Sequence, residues 1–202
     1  MRRREFISFL GGAAAAWPLT ARAQQPGSVR RIGVLMGWSE SDREAQSNLA
    51  AFVQELQQLG WTDGRNMRID YRWSNGDVNR MQISSKELVG SAPDAILAHT
   101  TPVTAALQRE TRTVPIVFVV VSDPVGEGFV AGLSRPGGNI TGFIHSEGEI
   151  AGKLLELLTE IAPSVKRVAI MFNPDTAPGR GSSYLPSFET AARRNMSLVS
   201  GP

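Results

Sequence analysis

Short runs of aliphatic and β-branched residues recur along this chain, each followed by a polar exit and then by apolar residues at helical spacing. That alternation limits the fold more than any other feature. Residues 31–36 (Arg-Ile-Gly-Val-Leu-Met) read as a buried strand closed by Gly37. Leu49, Phe52, Val53, Leu56 and Leu59 then follow at three- and four-residue intervals until Gly60, the pattern of a helix and its stop. In residues 66–73 the apolar Met67, Ile69, Tyr71 and Trp73 alternate with Arg68, Asp70 and Arg72, which predicts a strand with one polar face at a sheet edge. Residues 77–90 read as a helix and 94–99 as another buried strand. Thr101, able to cap, and Pro102 open a helix to about Arg112. Residues 115–121 form the most apolar run and so a central strand. A short helix is expected around 128–133, then the turn Pro136-Gly137-Gly138 and a strand over 139–143. The expected fold class is α/β, an open parallel sheet flanked by helices on both faces, occupying residues 30–145.

Beyond residue 145 the pattern restarts. Ile150, Leu154, Leu157, Leu158 and Ile161 share one helix face, residues 165–172 read as a buried strand, residues 189–195 as a helix, and Leu198-Val199 as the start of another strand. Residues 146–202 are thus expected to be an incomplete second α/β lobe. So few elements bury too little apolar surface to offset the entropy of ordering them.

The first 23 residues speak to location. Arg2, Arg3 and Arg4 precede an apolar run, and Ala21-Arg22-Ala23 places small residues where a signal peptidase reads. Arg3-Arg4-Glu5-Phe6 also matches the core of a twin-arginine signal. An uncleaved anchor fits less well, because the run falls short of the roughly 20 residues a bilayer needs and contains Gly11, Gly12 and Pro18. Residues 1–23 therefore read as an export signal cleaved near Ala23, delivering the rest to the periplasm. They hold four of the 21 basic and one of the 19 acidic side chains, so the mature chain is within one charge of neutrality. A near-neutral body gives no footing for nucleic-acid binding. Cysteine is absent, which excludes disulfides, thiolate metal sites, a cysteine nucleophile and a lipidated N-terminal cysteine.

The familiar chemical motifs are missing as well. The loop after the first strand, Gly37-Trp38-Ser39-Glu40-Ser41-Asp42, has one glycine where a dinucleotide fingerprint needs three, and neither a phosphate loop nor a nucleophile elbow occurs. No cofactor is expected. His99 and His145 are the whole imidazole inventory, with no helical histidine pair to gather a metal. What remains is the row of strand exits, since ligands of open parallel sheets sit outside the carboxyl ends of the strands. Gly37, Trp38, His99, Thr100, Thr101, Ser122, Asp123, Thr141 and Gly142 lie on that row, and Asn173 plays the matching part in the second lobe. Helix capping competes with ligand contact for Thr101 and Asp123, and Trp38 either stacks on a ligand or covers the sheet end.

The chain resembles the solute-binding proteins of bacterial ATP-binding-cassette transporters with the type I periplasmic-binding fold, and within them the tryptophan-binding-like branch. Residues 31–36 carry the likeness, as do Leu59-Gly60-Trp61-Thr62-Asp63-Gly64-Arg65-Asn66 and residues 115–125 with their Val-Ser-Asp-Pro-Val ending. Residues 133–142 and 168–174 carry it further. The resemblance implies two lobes closing on a small solute that is handed to a membrane permease. It also implies a chain continuing past residue 202, so this one reads as a shortened or frameshifted copy. The few charges along the exit row favour a small amphipathic solute such as an aromatic or branched amino acid. The rival readings are an exported α/β hydrolase-like enzyme and a non-functional gene fragment.

Overall fold

The structure is a computed structural model that describes residues 29–146, 150–193 and 197–201. The expected export signal lies outside the described residues.

Five parallel strands make the main sheet: β1 (Arg30–Met36), β2 (Met67–Trp73), β3 (Ala95–His99), β4 (Ile116–Ser122) and β5 (Ile140–Ser146), in the order β2-β1-β3-β4-β5. Three helices serve it: α1 (Arg43–Gln58), α2 (Val78–Gly90) and α3 (Thr101–Glu110). Parallel strands need both faces covered, and the burial shows how this is met. On one face Val34, Met36, Met67 and Ile69 pack with Ala45, Leu49, Phe52, Val53 and Leu56 of α1. On the other, Leu35, Ile96, Ala98, Ile116, Phe118 and Val121 pack with Met81 and Leu88 of α2 and Val103, Ala106 and Leu107 of α3. The expected helix-flanked sheet is what the chain forms.

Local chemistry sets the element ends. Asp42 and Asp77 cap α1 and α2, their carboxylates accepting from Ala45 N–H and Arg80 N–H, each at 2.8 Å. Gly60, at φ 87°, takes the left-handed turn that stops the first of these helices. β2 does lie at an edge, and Asp70 on its polar face accepts from Arg31 at 2.5 Å with Arg68 at 3.4 Å. The Arg31 hydrogen bond is the main reason the Asp70 carboxyl is held below its ordinary range.

Two expectations need correction. No helix forms at 128–133: residues 124–128 are turns, and Phe129 and Val130, each 5% exposed, plug the core from an irregular segment. The apolar residues spaced as on a helix face are loop residues, with the Phe129 and Val130 N–H groups both donating to the Pro124 carbonyl, at 2.9 and 3.3 Å. The capping residue of α3 is Thr100, not Thr101, and it supplies no side-chain cap hydrogen bond.

After residue 149 come α4 (Ile150–Ile161), β6 (Arg167–Met171), a 3₁₀ turn (Pro178–Gly181), α5 (Leu185–Ala192) and β7 (Ser197–Gly201). β6 and β7 pair in parallel as a separate two-stranded sheet. The last helix starts four residues before the expected Glu189, with Pro186 in its first turn, where a missing N–H costs nothing.

Candidate functional site

From β1 the chain goes to β2 on one side and, by way of α2, to β3 on the other, so the order reverses between β1 and β3. Crevices at such switch points, outside the carboxyl ends of the strands, are where open α/β sheets bind ligands. Gly37 and Trp38 leave β1 here, His99 closes β3 with Thr100 and Thr101 next to it, and Ser122 and Asp123 end β4, the following strand.

These residues meet. Gly37 has no room for a side chain, since a Cβ would lie 2.5 Å from Thr100 Oγ1 and 2.9 Å from the His99 carbonyl. Gly37 N–H donates to His99 Nδ1 at 3.3 Å, and the Trp38 and His99 rings meet edge to face at 4.6 Å. Thr101 Oγ1 accepts from Ser122 N–H at 3.3 Å, tying the β3 and β4 exits together. Asp123 Oδ1 accepts from Gly126 N–H at 3.0 Å, so capping describes its side chain, applied to a turn instead of a helix. Beside His99, a cavity of about 250 Å³ opens on the α1 side, walled by Met36, Leu49, Phe52, Leu97, Val119 and Val120.

Three non-glycine residues on this rim hold positive φ: Thr100 at 88°, Val120 at 57° and Asp123 at 47°. β-Branched residues avoid this region, and each costs about 1–3 kcal/mol where it occurs. Val120 sits in a β4 bulge, where the pairing with β5 slips between Phe118 and Val121. Thr100 is held by its own N–H, which donates to the Val119 carbonyl at 3.0 Å, and by its carbonyl, which accepts from Thr104 N–H at 3.1 Å. Strain gathered at neighbouring strand exits is a mark of a functional edge.

His99 is 2% exposed, and burial pushes its imidazole down to about 4, with Asp42 pulling weakly the other way. The ring is therefore neutral at ordinary pH, with Nδ1 accepting and the proton on Nε2. Neutral, it suits hydrogen bonding and packing; it supplies no cation to a ligand.

Thr141 and Gly142 do not belong to the rim. Register sets them opposite Val117 and Phe118, near the start of β4, and β5 runs on to Ser146, which pairs with Ser122. Gly142 is there because a Cβ would run into the Phe118 carbonyl and ring. Asn173 follows β6, and its Oδ1 is taken by Asp175 N–H at 2.9 Å within its own turn. His145 sits inside β5 and is exposed. Sequence reading passed over Ser74, fully buried, whose Oγ donates to the carbonyls of Met36 at 2.9 Å and Gly37 at 3.1 Å and so pins the β1 exit. The Ser74-Asn75-Gly76 turn signal after β2 was the only clue to it.

Known proteins are similar to this chain in sequence and fold. A family described as ABC transporter substrate binding protein matches residues 41–200. A curated "Tyrosine-binding protein" of Clostridioides difficile (strain R20291) is 31% identical over 144 residues, which are 71% of this chain and 41% of that protein. Among solved structures, a conserved domain protein from Vibrio cholerae superposes with a TM-score of 0.77 at 27% identity. An ABC domain in complex with L-Trp from Streptococcus pneumonia does so at 0.73 and 25%. Each of those two structures is matched by 86% of this chain over 57% of its own length. The chain thus spans about half the length of the relatives it matches. With most of its length inside that family's pattern and its sheet superposing on solved proteins of the type I periplasmic-binding fold, this chain belongs to the ABC transporter substrate binding proteins.

Proposed function

We propose that the chain is the solute-binding component of an ABC-type uptake system and that its solute is a small amino acid, with an aromatic side chain favoured. The observation that carries this is the convergence of the β1, β3 and β4 exits on one strained rim at the switch point, in a chain of a substrate-binding family. Thr100 gives α3 no side-chain cap, leaving its first turn and positive dipole end for a carboxylate. Trp38, half-buried beside it, offers a flat apolar surface. The named relatives support the solute class: one is called tyrosine-binding, and another was solved with L-Trp.

In this reading residues 30–145 form the first lobe and 146–202 belong to a second, with the solute between them. Gly37, Trp38, Thr100, Thr101, Ser122 and Asp123 bound it from the first lobe, and Asn173 faces it from the second. Residues 1–23 direct export to the periplasm with cleavage near Ala23, and the loaded protein hands its solute to a membrane permease.

Calorimetric titration with L-Tyr, L-Trp and L-Leu tests the reading, alongside thermal unfolding in their presence. Saturable heat with at least one, and a melting temperature that climbs with its concentration, is expected. Flat titrations with all three would overturn it.

A further inference from the structure

Trp38 and His99 leave neighbouring strands at the switch point, and their rings lie 4.6 Å apart at an interplanar angle of 87°. The same imidazole accepts the Gly37 N–H through Nδ1 at 3.3 Å. One buried ring thus holds both the backbone and the side chain of the β1 exit. From the other side Ser74 grips the Met36 and Gly37 carbonyls, and Asn75 N–H donates to the Trp38 carbonyl at 3.3 Å. The loop backbone is fixed between the two, and the indole is held perpendicular to the imidazole.

His99 borders the α1-side cavity but is almost wholly buried. It is 2% exposed, and Nε2 is enclosed with no hydrogen-bond partner among the described residues. With Nε2 enclosed, the imidazole acts on the rim through the groups it holds, Gly37 and Trp38. Burying an unpaired ring N–H is unfavourable, and an aliphatic residue here would avoid it. What an aliphatic residue lacks is the acceptor for Gly37 N–H and the ring that stands perpendicular to Trp38.

We infer that His99 is a positioning residue for solute selectivity: acting through Gly37 and Trp38, it fixes the indole as the aromatic wall of the rim and so favours solutes with planar side chains over aliphatic ones. This rests on the rim being the solute site, as proposed above. An edge-to-face ring contact of this kind corresponds to roughly threefold to tenfold in an equilibrium constant.

The full chain is made with fluorotryptophan, the Trp38 fluorine resonance is assigned by its loss in Trp38→Leu, and L-Trp and L-Leu are the probes. His99→Asn keeps an acceptor near Gly37 but removes the ring; His99→Phe keeps an aromatic ring but removes the acceptor. Each is expected to shift the Trp38 resonance, leave those of Trp61 and Trp73 in place, and lower the preference for L-Trp over L-Leu roughly threefold to tenfold. Combined with Trp38→Leu, neither should lower that preference further, because both changes remove the same wall. Additive losses, or an unmoved Trp38 resonance, would overturn the assignment of His99. Should the His99 variants not fold, Trp38→Leu at its half-buried position decides: an unchanged L-Trp to L-Leu ratio sinks the inference. If the unaltered chain binds no amino acid, the rim reading itself falls, an outcome distinct from binding that ignores His99.

Discussion

Burial keeps His99 neutral down to a pH of about 4, whereas the unfolded chain takes up the proton near 6.5. Between those values the unfolded state binds a proton that the folded state refuses, so stability rises with pH across that window. The contribution is complete above 6.5 and is lost as pH falls toward 4, an amount on the order of 3 kcal/mol. Urea unfolding at pH 7 and pH 5 should therefore show a lower midpoint at pH 5, and His99→Asn should remove most of that difference. Asp70 and Asp94, both held below 3.8 mainly by hydrogen bonds from Arg31, act below this window, so the two effects separate by pH. Gly37 is a second residue whose identity is set by space. In Gly37→Ala the new methyl meets Thr100 Oγ1 and the His99 carbonyl, and backbone parts from backbone only by moving the β1 exit. A loss of about 1–3 kcal/mol in chemical unfolding is expected, together with loss of the Trp38–His99 contact in the fluorine spectrum.

At the scale of elements, β4 carries the most consequence. Ile116, Phe118 and Val121 fill the α2–α3 face, with Phe118 at 1% exposure, while the bulge at Val120 lies just before the strand's exit at the rim. Phe118→Ala leaves a cavity that rigid neighbours do not close, and a loss of about 3–5 kcal/mol is expected from its unfolding midpoint. The caps are worth less: Asp42→Ala should cost about 1 kcal/mol. Because Asp42 raises the His99 pKa slightly, the same variant should shift the imidazole titration further down, which proton NMR would read. Strand and helix positions were legible for β1 to β4 and α1 to α4 because periodicity and capping are local. The segment 123–139 was not. Its apolar Phe129 and Val130 are spaced as on a helix, and only the open corner of the core beneath β4 and β5 decides that they plug it from a loop.

Across the whole molecule the two sheets differ in how well they are covered. The five-stranded sheet has helices on both faces, whereas the β6–β7 pair follows a helix whose Leu154, Leu157 and Ile161 are more than half exposed, and Met171 of β6 is 92% exposed. Parallel pairs hold poorly without cover. Amide exchange should accordingly be slowest in β1, β3 and β4 and faster by roughly two orders of magnitude or more in β6 and β7; equal protection in both sheets would contradict this. The proposed boundary near residue 145 is tested by the same data, since a division there makes exchange rates change abruptly between β5 and α4. The amino-acid sequence alone determined the α/β class, the parallel order of short buried strands and the side of the sheet to examine. It could do so because hydrophobic period, caps and strand ends are written within a few residues of one another. Which exits touch was decided only in three dimensions. Trp38 lies 61 residues before His99 and Thr101 lies 21 before Ser122, yet strand order and register bring each pair into contact. The same register takes Thr141 and Gly142 away from the rim, because where a strand ends in space depends on the neighbour it pairs with.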